Sequence, residues 1–133
     1  MSKKKQDLLQ HAEILFYQNG FHAIGLKRIV NEAGVALMTL YNHFGSKEDL
    51  ILEVLKNREM RYFSLLNAAV TRKITEGSLS IALLLAEAHM KWQRDHGTNG
   101  CMFLRAKEEY SFENEEIVGQ VVAHKNNLIS FFL

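Results

Sequence analysis

The chain predicts an all-α fold, with an N-terminal three-helix head joined by a long helix to a second helical region. Three observations carry that expectation. None of the 133 residues is proline, the residue type that most strongly interrupts helices. Apolar residues recur at three- and four-residue spacing along most of the chain, which is the period of a helix with one buried face. Glycines and short polar clusters separate these periodic runs, where helices have to stop. An apolar content of 47% with 23% charged residues suits a packed globular chain and argues against disorder.

The first helix is expected from about Lys4 to Gln18. Leu8, Leu9, Ala12, Leu15 and Phe16 form its apolar stripe, and Gly20 supplies a left-handed stop. Phe21 then plugs a small core. Leu26, Ile29, Val30 and Ala33 give a second helix its apolar face, and Gly34-Val35 breaks the period. A third, short helix spans Leu37 to Phe44, with Leu40 and Phe44 turned inward. Gly45-Ser46 ends it, and Ser46 caps a fourth helix whose first turn carries Glu48 and Asp49, where acids complement the helix dipole. That long helix is expected to continue to about Ala69, with Leu50, Val54, Leu55, Tyr62, Phe63 and Leu66 as its apolar positions.

Further on, TEGSLS at 75–80 has turn composition. A fifth helix, Leu79 to about Asp95, places Ile81, Leu84, Leu85, Ala88 and Trp92 on one broad face. His96 to Gly100 is expected as a loop, Cys101 to Ser111 as a shorter helix, and Phe112 to Glu116 as an acidic connection. A last helix begins near Ile117 and includes Val121, Val122 and Leu128. It reaches Phe131-Phe132-Leu133 inside an amphipathic pattern with no glycine, proline or basic cap, so this sequence is expected to be a truncated one.

The second and third helices, joined by a tight glycine turn, form a helix-turn-helix, the unit that places its second helix in the DNA major groove. The run AGVALMTLYNHFGSKEDLILEVL, residues 33–55, resembles the N-terminal domain of the tetracycline-repressor (TetR) family of bacterial transcription regulators. The matching residues are Ala33-Gly34-Val35, Thr39-Leu40-Tyr41, His43-Phe44, Ser46-Lys47-Glu48 and Leu50. Upstream, Ala12, Leu15, Phe16, Gly20-Phe21, Ala23 and Ile29 also fit, so the resemblance covers residues 5–57. It implies a DNA-binding domain at 1–47 and part of a helical effector-binding and dimerisation domain at 48–133. The implied partners are double-stranded operator DNA, a small-molecule effector and a second copy of the chain. The dimer would form through helices mostly missing from this chain, and the protein would be cytoplasmic.

Contacts to phosphates fix a protein's position on DNA, and contacts to base edges specify sequence. The resemblance implies that Leu37, Met38, Thr39, Tyr41, Asn42 and His43 line the outer side of the recognition helix. Tyr41 and His43 offer hydrogen bonds to phosphates, and Asn42 reaches either a phosphate or a base edge. Lys47 would hold a phosphate together with the backbone N–H groups of the fourth helix. Lys27 is the candidate for a long cationic contact to a guanine edge. Each has a plainer alternative: Tyr41 braces the head, His43 packs on Phe44, and Lys47 is simply solvated. The family often has Ser or Thr where Ala36 stands, threonines near Ile24-Gly25, and polar or small residues in place of Leu37 and Met38. Ala36 cannot cap the third helix, and Leu37 and Met38 offer only apolar contacts.

In the second region, Tyr62, Phe63, His89, Trp92, Met102 and Phe103 are the candidates for lining an effector pocket, against the alternative that they are ordinary core. His89, His96 and Cys101 are metal-ligating types, but their spacing matches no compact zinc motif, and no metal or cofactor is expected. Residues 1–47 carry a net charge of +3 and residues 48–133 a net −2, so the basic excess lies on the segment proposed to meet phosphates. One cysteine excludes an internal disulfide. No signal peptide or membrane-spanning run is visible. No nucleophile–base pair or phosphate-binding glycine loop suggests an enzyme. The competing class is a helical ligand-binding or interaction module that keeps the fold without DNA recognition, a reading favoured by Ala36, Leu37 and Met38.

Overall fold

Seven helices follow one another in the computed structural model, which describes residues 2–76, 81–96 and 100–132. They are α1 (Lys3–Asn19), α2 (Leu26–Ala33), α3 (Leu37–His43), α4 (Lys47–Glu76), α5 (Ile81–His96), α6 (Met102–Tyr110) and α7 (Glu115–Phe132). The all-α class and the helix-turn-helix head agree with the sequence expectation.

Each helix start has a local cause. Ser2 caps α1 by accepting the Lys5 N–H at 3.1 Å. Ser46 does the same for α4, accepting from Asp49 N–H at 3.1 Å. Asn114 caps α7, its Oδ1 accepting from Ile117 N–H at 3.0 Å. That cap starts α7 two residues earlier than Ile117, so Glu115 and Glu116 belong to its first turn rather than to a connection.

The helix ends are also specific. Gly34 terminates α2 at φ 70° and ψ 32°, and Val35 N–H reaches back to Val30 O at 3.1 Å, closing a Schellman-type turn. Gly20 ends α1 differently from the expected left-handed stop. Its φ of 87° comes with ψ 169°, a combination essentially restricted to glycine. The fourth helix continues past Ala69 to Glu76, because no glycine or proline interrupts the intervening residues. The expected turn at 75–80 therefore overlaps the helix, and residues 77–80, like 97–99 of the expected loop, lie outside the described residues. So do the side chains of Ile81, Leu84 and His96.

Two compact units emerge from the contacts: Met1–Lys56 with Cys101–Leu133, and Asn57–Gly100. In the first, Leu8, Phe16, Phe21, Ile24, Ile29, Leu40, Leu50 and Ile51 are fully buried, and Met102, Ala106, Tyr110 and Ile117 share their cluster. Phe21 does plug this core, its ring centroid 5.0 Å from Phe16 and 6.2 Å from Tyr110. Burying one such side chain stabilises the fold by about 1.5–3 kcal/mol. The second unit buries Leu66, Leu85, Ala88 and Trp92. Arg58 lies over the Trp92 ring at 5.2 Å.

Candidate nucleic-acid interface

Helix α3 is held by one face and open on the other. Leu40 is fully buried and Phe44, just past the helix end, nearly so; Phe44 N–H bonds Leu40 O at 2.9 Å. On the outer face Met38 is 70% exposed and Tyr41 48%, and Asn42 is exposed beside them. Thr39 is half-buried. Leu37 departs from the expected outer position. It is half-buried and packs against the head's core, because its place three residues before the fully buried Leu40 turns it toward the buried side of the short helix. Ala36 begins α3 with no side-chain cap, as its methyl group dictates, and its carbonyl accepts from Thr39 and Leu40 N–H at 3.0 and 3.3 Å.

The remaining predicted DNA contacts divide by burial. Lys27 is exposed in the first turn of α2. His43 is half-buried, its Nε2 3.5 Å from Ser2 Oγ and its ring edge-on to Phe44 at 6.3 Å. Lys47, the first residue of α4, is half-buried rather than freely solvated. Burial pulls its ammonium below the usual lysine range, and the charges of Glu48 and Glu109 oppose that shift. Among the N-terminal lysines, Lys5 is engaged: it pairs with Glu53 at 3.4 Å and lies 5.6 Å from the Phe44 ring centroid.

An element invisible in the sequence fixes the corner after α1. Glu109 of α6 accepts from the backbone N–H of Phe21 at 2.9 Å and of His22 at 2.7 Å. Its carboxylate also meets His22 Nδ1 at 3.0 Å and Arg105 Nε at 3.7 Å. His22 Nε2 lies 3.0 Å from Glu113, and its ring lies against Tyr110 at 4.5 Å. Only the i,i+4 spacing of Arg105 and Glu109 could have been read beforehand.

The predicted effector residues separate into two groups. Tyr62, Phe63, His89 and Trp92 come together in the second unit. The Tyr62 hydroxyl meets His89 Nδ1 at 2.8 Å, and its ring packs edge-on to Trp92 at 5.2 Å and Phe63 at 5.8 Å. A cleft of about 300 Å³ in that unit is lined instead by Leu65, Ala68, Ala69, Glu87, Ala88, Lys91 and Arg94. Met102 and Phe103 are buried in the first unit, where Phe103 stacks on His124 at 3.7 Å. Cys101 is exposed. Among the described residues no three His, Cys, Asp or Glu side chains are grouped to hold a metal ion, and no helix is long and apolar enough to cross a membrane.

This arrangement defines a helix-turn-helix head with an exposed second helix, carried within an all-α chain. Residues 8–54 match the family model described as bacterial regulatory proteins of the tetR family. Over these residues the chain is similar to the regulators of that family. It is 26% identical over 115 residues to the HTH-type transcriptional repressor BdcR of Escherichia coli, covering 86% of this chain and 58% of BdcR. It is 41% identical over 54 residues to the HTH-type transcriptional activator FasR of Mycolicibacterium smegmatis, covering 41% of this chain and 25% of FasR. A TetR-family transcriptional regulator from Streptomyces coelicolor superimposes with a TM-score of 0.79 at 32% identity, covering 92% of this chain and 64% of that one. The reduced form of Escherichia coli NemR gives the same TM-score at 22% identity, a likeness of fold, with 97% of this chain and 67% of that one covered. The chain thus spans from a quarter to about two thirds of the length of these relatives.

Proposed function

We propose that this chain regulates transcription, most simply as a repressor, by binding a palindromic operator as a homodimer. In this reading residues 1–47 form the DNA-binding domain. Residues 48–133 contribute to a helical domain for dimerisation and for a small-molecule effector, in a cytoplasmic protein. The observation that carries it is the division of α3 into a face locked by Leu40 and Phe44 and an open face presenting Met38, Tyr41 and Asn42. A helix with its side chains is roughly 10–12 Å across, which suits a major groove about 12 Å wide. Tyr41 and Lys27 would supply phosphate and base-edge contacts, and Met38 would supply apolar contact to thymine methyl groups.

Two heads bound to successive major grooves must lie about 34–36 Å apart. An effector that binds better to a dimer with another head spacing shifts the population away from the operator-bound form, by as much as its affinities for the two forms differ. The test is selection from a random double-stranded DNA library at two salt concentrations. A palindromic site should emerge, with affinity that falls as salt rises. A Tyr41→Ala, Lys27→Ala double variant should weaken binding at least tenfold without changing helix content. Weak binding with no enriched site, indifferent to both substitutions, would instead identify a helical module that keeps the fold without reading DNA.

A further inference from the structure

We propose that each half-site of the operator is read at its centre as A·T pairs, with Met38 meeting a thymine methyl group and Asn42 an adenine edge. This readout rests on the DNA-binding function proposed above. Helix α3, with the sequence LMTLYNH, contains no lysine, arginine, aspartate or glutamate. The commonest specific contact to guanine in the major groove is a bidentate one from Arg or Lys, and cytosine is read by carboxylates that accept from its amino group. Helix α3 offers neither.

Burial narrows the readers to one stripe of the helix. Leu40 is fully buried, and Leu37 and Thr39 are half-buried. His43, whose ring could donate to guanine N7, is half-buried, 3.5 Å from Ser2 Oγ and edge-on to Phe44. Met38, in contrast, is 70% exposed, and Asn42, four residues on, is exposed on the same face one turn away. Tyr41 lies beside them as the phosphate contact. Four residues of helix advance about 6 Å, close to two base-pair steps of about 3.4 Å each. With α3 lying along the groove, the two side chains meet neighbouring pairs.

Their chemistry selects the bases. The end of a methionine is apolar and adaptable, and of the four bases only thymine presents a methyl group in the major groove. An asparagine amide carries a donor and an acceptor side by side; the donor matches adenine N7 and the acceptor its N6 amino group. Guanine then belongs to the margin of the half-site, where Lys27, exposed on α2, reaches a base edge.

A preference for A·T pairs can also come from the shape and stiffness of the duplex without any base contact, so the test separates the two. It is selection from a random double-stranded DNA library with the parent, Met38→Ala and Asn42→Ala. Both positions are exposed, so the variants keep the fold. The parent should enrich a site whose half-site centres hold A·T pairs. Asn42→Ala should cut discrimination against guanine at one central pair by roughly fivefold or more, while the flanking positions keep theirs. Replacing the thymine beside Met38 by deoxyuracil, which removes only the methyl group, should weaken parent binding about threefold and leave Met38→Ala binding unchanged. Half-site centres of G·C pairs would overturn the assignment while leaving sequence-specific DNA binding in place. So would an A·T centre retained by both variants and indifferent to deoxyuracil. No enriched site with the parent would overturn the assignment together with the DNA-binding function on which it rests.

Discussion

Removing the Glu109 carboxylate should destabilise the protein by about 2–3 kcal/mol. The figure follows from what the group touches. Its oxygens accept from Phe21 N–H at 2.9 Å and His22 N–H at 2.7 Å, just after α1 has ended at Gly20. A hydrogen bond to a charged acceptor contributes roughly 1.5–3 kcal/mol, with the upper part reserved for groups that water cannot reach. The Phe21 N–H is partly buried and loses its partner in Glu109→Ala, whereas the exposed His22 N–H can turn to water. The His22 and Arg105 ion pairs are exposed enough that together they add less than about 1 kcal/mol. In a chain of this size the sum corresponds to a fall in Tm of roughly 6–12 °C. Glu109→Gln keeps one carbonyl acceptor and should lose about half as much. Urea unfolding followed by far-UV circular dichroism measures both. A loss below about 0.5 kcal/mol in the alanine variant, or equal losses in the two variants, would refute the view that this carboxylate secures the α1–α2 corner.

Two more expectations follow from single groups. Ala36→Ser should stabilise the head by about 0.5–1 kcal/mol, because Ala36 already has the extended backbone of an N-cap and lacks only the side-chain acceptor. No gain in urea midpoint would mean that the first N–H groups of α3 have no use for a cap. Tyr110 should ionise about two pH units above the ordinary value of 10.0, since burial and then the neighbouring carboxylates raise it to about 12. Its folded pKa exceeds its unfolded one, so its contribution is complete below pH 10 and fades as pH climbs through 12. Ultraviolet titration should therefore show a tyrosine ionising near pH 12 that is absent in Tyr110→Phe, and that variant should lose less stability than the parent across this interval. A titration near pH 12 that Tyr110→Phe leaves unchanged would contradict the burial argument.

The legible part of the fold is the part governed by neighbours in sequence. Leu8, Leu15, Leu40 and Phe44 could be assigned inward because helical period alone decides which face a residue occupies. Gly34 and Ser46 could be placed because a left-handed turn and an N-cap each demand a particular residue type. Asn114 carried the same kind of signal, with Glu115 and Glu116 behind it, and α7 could have been started there. Burial at the interface was harder, since Leu37 and Lys47 are each the first residue of a helix, and their exposure is set by what packs across from them. The Glu109 contacts were out of reach altogether, because they join residues 87 and 88 positions apart.

That long-range link changes how a regulatory signal would have to travel. The conformation at Gly20 requires glycine, and a Cβ there would come within 3.1 Å of Glu109 Oε2 and 3.2 Å of Arg105 Nε. The bare backbone of this corner and the carboxylate of α6 therefore fit each other closely. Phe21 and Tyr110 extend the same contact into the core, and Ile117 of α7 is buried in the same cluster. In the proposed regulator, a displacement of α6 by a fraction of a hydrogen-bond length would reach the α1–α2 corner through two backbone donors. It would not first have to bend the thirty residues of α4. Packed contacts of this kind tend to hold or release rather than deform continuously, so in the proposed regulator α6 would act on the head as a switch. In that reading, substitutions at Glu109 should alter effector response more than operator preference, which is proposed to be read by the open face of α3.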